Sequence, residues 1–501
     1  MATTPAAPER VRRAYPAPVR DGDDAFVPLA ARIGAVAARH AAEHDRDATF
    51  VAPAYRAMRE HGYLRLPVPA ELGGLGASLR QVCYAQAELG RHDGATALAV
   101  SMHLHSTLTQ AFLHERGAPG AGQVLRRIAS SDLVIATSGG SDWLWPDTVA
   151  TVQDDGSLRV SGRKVFCSQA PEAGAVSTCA VLGRPGPGAE VAHFSVPLPS
   201  PGVRLEETWD TLGMRGTASH DLVLDDVRVP AEAIVARRPW GEFGDVLTTA
   251  EVHFAPVVAA TYLGIAAQAR DAALTRARTR AQPRTLTPAT TSAATTSAAT
   301  GTTASATTTT GTGTSPATST AATSPAATSP AATSPAVAAT GAASRAEGGG
   351  VSAAEGGAAS RAGDGGASQA GSAASQTAAP PHGSRPATVS PTAQRVAGLM
   401  DARLRTAWWS LTGALDDLGP GYACTPDTLA TVMIAKREAV LAAVEVVGLA
   451  MDLAGGGSYF RRSPLERACR DVRAGTFHPL TPEATLLYAG KLAFGDPGVT
   501  E

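Results

Sequence analysis

The chain has 501 residues, of which 44% are apolar, and its formal net charge at pH 7 is −2. That length and apolar content allow two or three domains with a sizeable core. The nearly balanced charge gives no sign of a nucleic-acid partner, and no apolar run reaches the roughly 20 residues that a membrane span requires.

The five cysteines are scattered and never spaced as C-x-x-C. Such a set predicts neither a disulfide framework nor a metal site, and it is typical of a reducing compartment. The first residues include basic side chains but no apolar segment after them, unlike a secretory signal. We therefore expect a cytoplasmic protein, with residues 1–25 as a disordered arm.

Residues 26–130 are predicted to form an N-terminal helical domain. Leu29, Ile33, Val36 and Ala37 recur at helical spacing, and the run ATALAVSMHLHSTLTQAFL is apolar on most faces, which indicates a buried helix. Residues 131–235 change to short β-branched runs separated by Gly, Pro and Asp, the pattern of a β-sheet or barrel domain.

Residues 236–282 and 389–501 return to the helical pattern and predict a C-terminal four-helix bundle. Between them, residues 283–388 consist mainly of Ala, Thr, Ser, Gly and Pro. Such a segment cannot bury enough apolar area to offset its conformational entropy, so we predict a disordered insertion. The predicted fold class is α+β, in the order helices, sheet, helices.

Five motifs, in this order along the chain, resemble those of acyl-CoA dehydrogenases. They are a P-x-x-x-G-G-x-G turn with the helix after it at 69–97, ATSGGSDWLWP at 136–146, SGRKVFCSQA at 161–170, TLGMRGTASHDLVLDDVRVP at 211–230, and GGGSYFRRSPLERACRDVRAGTFHP at 455–479. The chain is identified as an atypical member of that superfamily. The resemblance implies a flavoprotein oxidoreductase that holds FAD, with FMN as the alternative.

The resemblance also implies which residues contact the flavin. Phe166 would lie against the flavin ring and Ser168 would bond near flavin N5, since strand residues two apart share a face. In the small, glycine-rich loop, Thr137, Gly140 and Ser141 would let backbone N–H groups approach the flavin.

The paired glycines Gly455 and Gly456 correspond to family residues that pass close to a flavin bound by a neighbouring subunit. Glycine permits such a close backbone approach. The resemblance therefore implies a homodimer or homotetramer.

The family's catalytic glutamate is missing from both of its usual places. One place lies about eight residues after the Arg–Asp pair, where this chain has Pro479, and the other lies on the helix after the β-domain, where it has Phe254. The candidate replacements are His478, Glu251 and His253.

Three functions are compatible with these residues. The first is oxidation of an acyl-CoA or similar acyl thioester at its α,β carbons, with hydride transfer to flavin N5 and a separate electron acceptor. The second is a monooxygenase that uses reduced flavin and oxygen, with His478-Pro479 in place of the base motif and His103 or His105 as a partner. These two histidines, two apart on a helix, cannot both line one pocket. The third is a flavin- or thioester-binding protein without catalysis.

Overall fold

The computed structural model describes residues 20–281 and 389–495. The predicted insertion at 283–388 and most of the predicted arm at 1–25 lie outside the described residues. The α+β fold class is confirmed, since N-terminal helices, a central sheet and C-terminal helices follow one another along the chain.

Five α-helices form the described N-terminal part, residues 20–131. Their bounds are α1 Val27–Asp47, α2 Ala52–Glu60, α3 Leu79–His92, α4 Gly94–Glu115 and α5 Ala121–Ser131. The start of α4 is set by Asp93, whose side chain accepts a hydrogen bond from the backbone N–H of Thr96, satisfying one of the free donors of the first turn. Most of α4 is buried, as the apolar run predicts.

The central part is one eight-stranded sheet. Its strands are β1 Ile135–Thr137, β2 Val149–Val152, β3 Leu158–Cys167, β4 Ala175–Leu182, β5 Glu190–Pro197, β6 Val203–Glu206, β7 His220–Val229 and β8 Ile234–Pro239. The strand order is β6-β7-β3-β2-β4-β5-β8, and β1 pairs with β4 in parallel. The sheet encloses an apolar cluster of its own.

The C-terminal helices are α6 Gly244–Ala281, α7 Pro391–Leu418, α8 Pro426–Ala454, α9 Pro464–Asp471 and α10 Pro482–Ala493. Buried residues of α6, α7 and α8 share one apolar core with α1 to α4. Gly90 of α3 and Gly264 of α6 face each other's helices so closely that an added Cβ would collide with a backbone carbonyl. The N-terminal and C-terminal helices are therefore packed as one body around α6.

Helix α6 is long and apolar enough to cross a membrane by length and composition, and among the described helices it alone meets that test. In its most apolar window, 94% of the residues are buried inside the protein. That burial accounts for its apolar composition, because a helix that is apolar all round lies in a core.

Candidate active site

A cavity of about 350 Å³ lies where the helices meet the sheet. Its wall is formed by α4, β1 and the loop after it, the end of β3, the 209–214 loop, the start of α6 and the 470–479 segment. It brings together six of the sequence-predicted site residues: Thr137, Gly140, Phe166, Ser168, Glu251 and His478.

Phe166 presents a half-exposed ring to the cavity. The edge of that ring meets Trp209, with ring centroids 5.8 Å apart. An added Cβ on Gly140 would lie 3.3 Å from the ring, and one on Gly139 would lie 3.1 Å from the Phe166 Cβ. The two glycines therefore leave room for the Phe166 side chain. The sequence alone did not indicate this reason for having glycine at both positions.

Ser168 reaches the cavity by a different route from the predicted one. The pairing of β3 with β7 shifts between Lys164 and Cys167, and Phe166 has a φ of +54°. Ser168 follows the strand, and its backbone N–H donates to the Phe166 carbonyl at 2.9 Å. The regular alternation of a strand does not hold here, because a bulge interrupts it. Both residues line the cavity.

The Ser168 hydroxyl begins a chain of buried hydroxyl groups. Its Oγ lies 2.8 Å from the Ser219 Oγ, which lies 2.6 Å from the Thr217 Oγ1. The Thr217 hydroxyl also bonds the Met214 carbonyl at 2.9 Å. These hydrogen bonds fix the position of the Ser168 hydroxyl oxygen in the cavity wall.

A buried ion pair holds the loop that carries Gly139 and Gly140. The Lys164 Nζ on β3 lies 3.1 and 3.0 Å from the two carboxylate oxygens of Asp142. The Ser138 hydroxyl donates to Asp142 Oδ2 at 2.9 Å. The loop is thereby tied to the strand that supplies Phe166.

Glu251 is the only acidic residue among the described residues that line the cavity. Its Oε2 is enclosed and accepts no hydrogen bond from a described residue. Burial raises the pKa of this carboxyl from 4.5 to about 7, and the nearby Lys436 cation opposes the rise. Glu251 can therefore gain or lose a proton near neutral pH.

Lys436 is fully buried on α8 and was not identified from the sequence. Its Nζ donates to three successive carbonyl oxygens, at 3.1 Å to His478, 2.6 Å to Pro479 and 2.8 Å to Leu480. Burial lowers the pKa of this ammonium group, and the Glu251 carboxylate opposes that shift. Lys436 thus positions the segment that carries the family's usual base.

His478 lines the cavity, and its Nε2 lies 2.8 Å from the Tyr262 hydroxyl. Burial, together with the Lys436 charge, lowers its pKa to about 3. The ring is therefore neutral at pH 7, and protonating it in place is unfavourable.

His253 is kept away from the cavity by its position on α6. Its Nδ1 donates to the Thr249 carbonyl at 2.7 Å, and its Nε2 accepts from the Tyr422 hydroxyl at 2.7 Å. Successive helix residues point about 100° apart, so Glu251 and Phe254 reach the cavity whereas His253 is satisfied in the core. Its side chain is not among the described residues that line the cavity.

Of the two α4 histidines, His105 lines the cavity. His103 is satisfied in the core, where its Nε2 donates to the Leu64 carbonyl at 2.6 Å and its Nδ1 accepts from the Ile135 N–H at 3.2 Å. The His105 Nδ1 has no partner among the described residues, and burial lowers the pKa of this ring to about 3.

The glycine turn after α8 lies away from the cavity. Two arginines at the end of α6 cover it: Arg280 packs beside Gly455, and Arg276 lies where a side chain on Gly457 would be. Gly455 and Gly456 are not among the described residues that line the cavity. Ser141 lies in the turn Gly140–Trp143, and its side chain is outside what the structure describes. Among residues 20–281 and 389–495, no group of three or more His, Cys, Asp or Glu side chains is arranged to hold a metal ion.

Comparison with known families assigns all three parts of the fold. Models of the N-terminal, middle and C-terminal domains of acyl-CoA dehydrogenases match residues 30–130, 136–227 and 350–483.

Curated relatives include nitrososynthases and a putative acyl-CoA dehydrogenase. The amino sugar nitrososynthase DnmZ of Streptomyces peucetius is 33% identical over 243 residues, which are 48% of this chain and 60% of the relative. The L-evernosamine nitrososynthase of a Micromonospora species is 31% identical over 52% of this chain and 62% of its own. The putative acyl-CoA dehydrogenase YdbM of Bacillus subtilis is 33% identical over 47% and 61%. The matches thus span about three fifths of these relatives.

Two solved structures illustrate the shared fold. KijD3 in complex with FMN and dTDP-3-amino-2,3,6-trideoxy-4-keto-3-methyl-D-glucose has a TM-score of 0.66 at 23% identity, covering 96% of each chain. Butyryl-CoA dehydrogenase from Megasphaera elsdenii has a TM-score of 0.65 at 16% identity, covering 96% of this chain and 100% of its own. These likenesses show a shared fold, and the three domain matches show that the chain belongs to the acyl-CoA dehydrogenase superfamily.

Proposed function

We propose that this chain is a flavin-dependent monooxygenase that uses reduced flavin and dioxygen to oxidise the nitrogen of an amino sugar. The observation that carries the proposal is the pair of residues at the two usual positions of the dehydrogenase base. Pro479 and Phe254 both line the cavity, and neither accepts a proton. Pro479 also has no backbone N–H to offer a substrate carbonyl.

The cavity fits a flavin ring on the side formed by the sheet. Phe166 offers an aromatic face, the Ser168 hydroxyl stands beside it, and Thr137 and Gly140 bring small groups and backbone to the same wall. Bound flavin would supply the electrons and the reaction with dioxygen. We propose FAD or FMN here, and mass spectrometry of the flavin released on denaturation distinguishes the two.

The names of the relatives support nitrogen as the site of oxidation. Two relatives are named amino sugar nitrososynthases, and a nitroso group is an amine nitrogen that has been oxidised. In the first step that we propose, an amine, dioxygen and reduced flavin give a hydroxylamine, water and oxidised flavin. His105 and His478, both neutral, would offer hydrogen bonds to the substrate within the cavity.

A second candidate is oxidation of an acyl thioester at its α,β carbons, with a separate electron acceptor. Glu251 favours it, because this carboxyl lies one helical turn before Phe254, lines the cavity and has a pKa near neutrality. His478 is a weaker candidate for the base, since its pKa is about 3.

Two reactions of the flavin-loaded protein distinguish these candidates. Chemically reduced protein, mixed with oxygen and a dTDP-linked 3-amino sugar, should yield a product heavier by one oxygen atom. Bleaching of the oxidised flavin by butyryl-CoA without oxygen would instead favour the dehydrogenase. If neither occurs and flavin stays bound, the protein is a binding protein without these activities.

Replacing Phe166 with alanine should raise the dissociation constant of the flavin roughly tenfold or more, because the stacking area is lost. Fluorescence titration of the apoprotein with FMN and with FAD measures the effect. Phe494→Ala, which removes an almost fully exposed ring at the other end of the chain, serves as the control. Equal affinity in the Phe166 variant and the wild type would remove Phe166 from the flavin site.

The flavin-loaded protein should sediment as a dimer or tetramer. The turn at 455–457 lies away from the chain's own cavity, and next to it Tyr459 is 82% exposed and Phe460 is 52% exposed. Exposed aromatic side chains are typical of subunit contacts. A monomer saturated with flavin at micromolar concentration would contradict this expectation.

A further inference from the structure

Glu251 brings to the cavity wall an enclosed carboxylate oxygen that has no hydrogen-bond donor among the described residues. Arg470 also lines the cavity, but its guanidinium is held by Asp45 and Glu466 at 2.5 to 2.8 Å. The Glu251 Oε2 is enclosed, and no described residue donates to it. A buried acceptor without a donor is unfavourable, so this carboxylate is poised to receive a donor from a ligand.

Lys436 is not that donor. All three of the hydrogen bonds that its ammonium group can form go to the carbonyl oxygens of residues 478–480. Its charge still favours the ionised form of Glu251. Lys436 therefore acts on Glu251 as a nearby cation and leaves its Oε2 without a donor.

The donor that complements a free carboxylate in an enclosed site is an ammonium group, since charge-assisted hydrogen bonds are the strong ones. Oxidation at nitrogen adds a further requirement, because an ammonium nitrogen has no lone pair with which to take up oxygen. One N–H proton must leave before the nitrogen can react.

We propose that Glu251 binds the substrate's amino group as its ammonium form and accepts one proton from it. An N–H bond breaks, an O–H bond forms on the Glu251 carboxyl, and the electron pair stays on nitrogen; no oxidant is consumed in this step. The proposal rests on the proposed function and names the residue that selects an amine. Lys436 is a positioning residue for this step.

The test compares two ligands with wild-type, Glu251→Gln and Asp245→Asn proteins, all loaded with oxidised flavin. The ligands are a dTDP-linked 3-amino sugar and the same sugar with a 3-hydroxyl group. Asp245 is exposed on the first turn of the same helix, so its variant makes a matched carboxyl-to-amide change outside the cavity. Calorimetry without reductant gives the affinities.

Wild type and Asp245→Asn should bind the amine at least roughly tenfold more tightly than the hydroxyl ligand, and Glu251→Gln should lose this preference. Infrared difference spectra should show a protonated carboxyl band when the amine binds to wild type and no such band in Glu251→Gln. If the glutamine variant loses its flavin, Glu251→Asp replaces it and should keep part of the preference.

An undiminished amine preference in Glu251→Gln would overturn the proposal, even if wild type oxidises the amine with reduced flavin and oxygen. If Glu251→Gln loses the amine preference but wild type transfers no oxygen, the result would support Glu251 as the amine-binding residue. It would reject the monooxygenase instead. The two failures are therefore distinguishable.

Discussion

Replacing Glu251 with glutamine should lower the turnover number roughly 10²- to 10⁴-fold, as is typical when a general base is lost, while flavin remains bound. The expectation holds for either candidate reaction, since an ammonium proton or an α-proton must be taken within the same cavity. Steady-state kinetics of the flavin-loaded variant measures it, and the unchanged visible spectrum serves as the check on the cofactor.

His478→Ala provides the comparison. His478 is neutral and hydrogen-bonded to Tyr262, so its loss should cost less turnover than the loss of Glu251. A sharp loss in His478→Ala with full activity in Glu251→Gln would return the base to the 470–479 segment.

The difference in stability between wild type and Glu251→Gln should also depend on pH. The folded-state pKa is raised from 4.5 to about 7, so the contribution of this carboxyl to stability is full below pH 4.5 and is lost as pH rises through 7. Glutamine does not titrate. Glu251→Gln should therefore match wild type at pH 5 and exceed it by on the order of 2 kcal/mol at pH 8, which denaturant unfolding at the two pH values measures.

Replacing Lys436 with methionine should lower the free energy of unfolding by about 3 kcal/mol, because three buried carbonyl oxygens lose their shared donor. Methionine fills similar volume and donates no hydrogen bond. Lys436→Gln, which keeps two N–H donors without the charge, should recover part of the loss. Urea unfolding at pH 7 gives the values.

Arg395→Met is the control, since it exchanges an exposed cation on α7 for the same side chain and should change stability by less than about 0.5 kcal/mol. A cost for Lys436→Met as small as that of the control would mean that the 478–480 segment holds its conformation without the lysine.

The order of the three structural parts was predictable because their apolar patterns differ along the chain. Helical spacing marks 26–130, and short β-branched runs mark the sheet. The positions of Phe166 and Ser168 in the cavity were predictable from the family resemblance, whereas their geometry was not. A bulge depends on the partner strand β7, which a local alternation pattern does not report.

Lys436 was missed because a lysine in an amphipathic helix usually faces solvent. A signal was present: Lys436 shares a helix face with Leu429, Val432, Met433 and Val440, all of them buried. A charged residue in the middle of an apolar stripe indicates a buried partner, here the carbonyl oxygens of a distant segment. His253 became a candidate because it precedes Phe254 in sequence. Successive residues of a helix point about 100° apart, so the His253 ring faces the core while Phe254 faces the cavity.

Helix α6 forms part of the cavity wall and also sets the distance between the cavity and the end of the helix at Ala281. It runs without a break from Gly244 to Ala281, and Glu251 near its start is separated from Ala281 by roughly 45 Å along the axis, at about 1.5 Å per residue. The chain therefore leaves the described helix far from the group that we expect to exchange protons. Insertions or deletions in the sequence after Ala281 would therefore start far from Glu251, at the opposite end of the helix. We expect them to leave the geometry of the cavity unchanged.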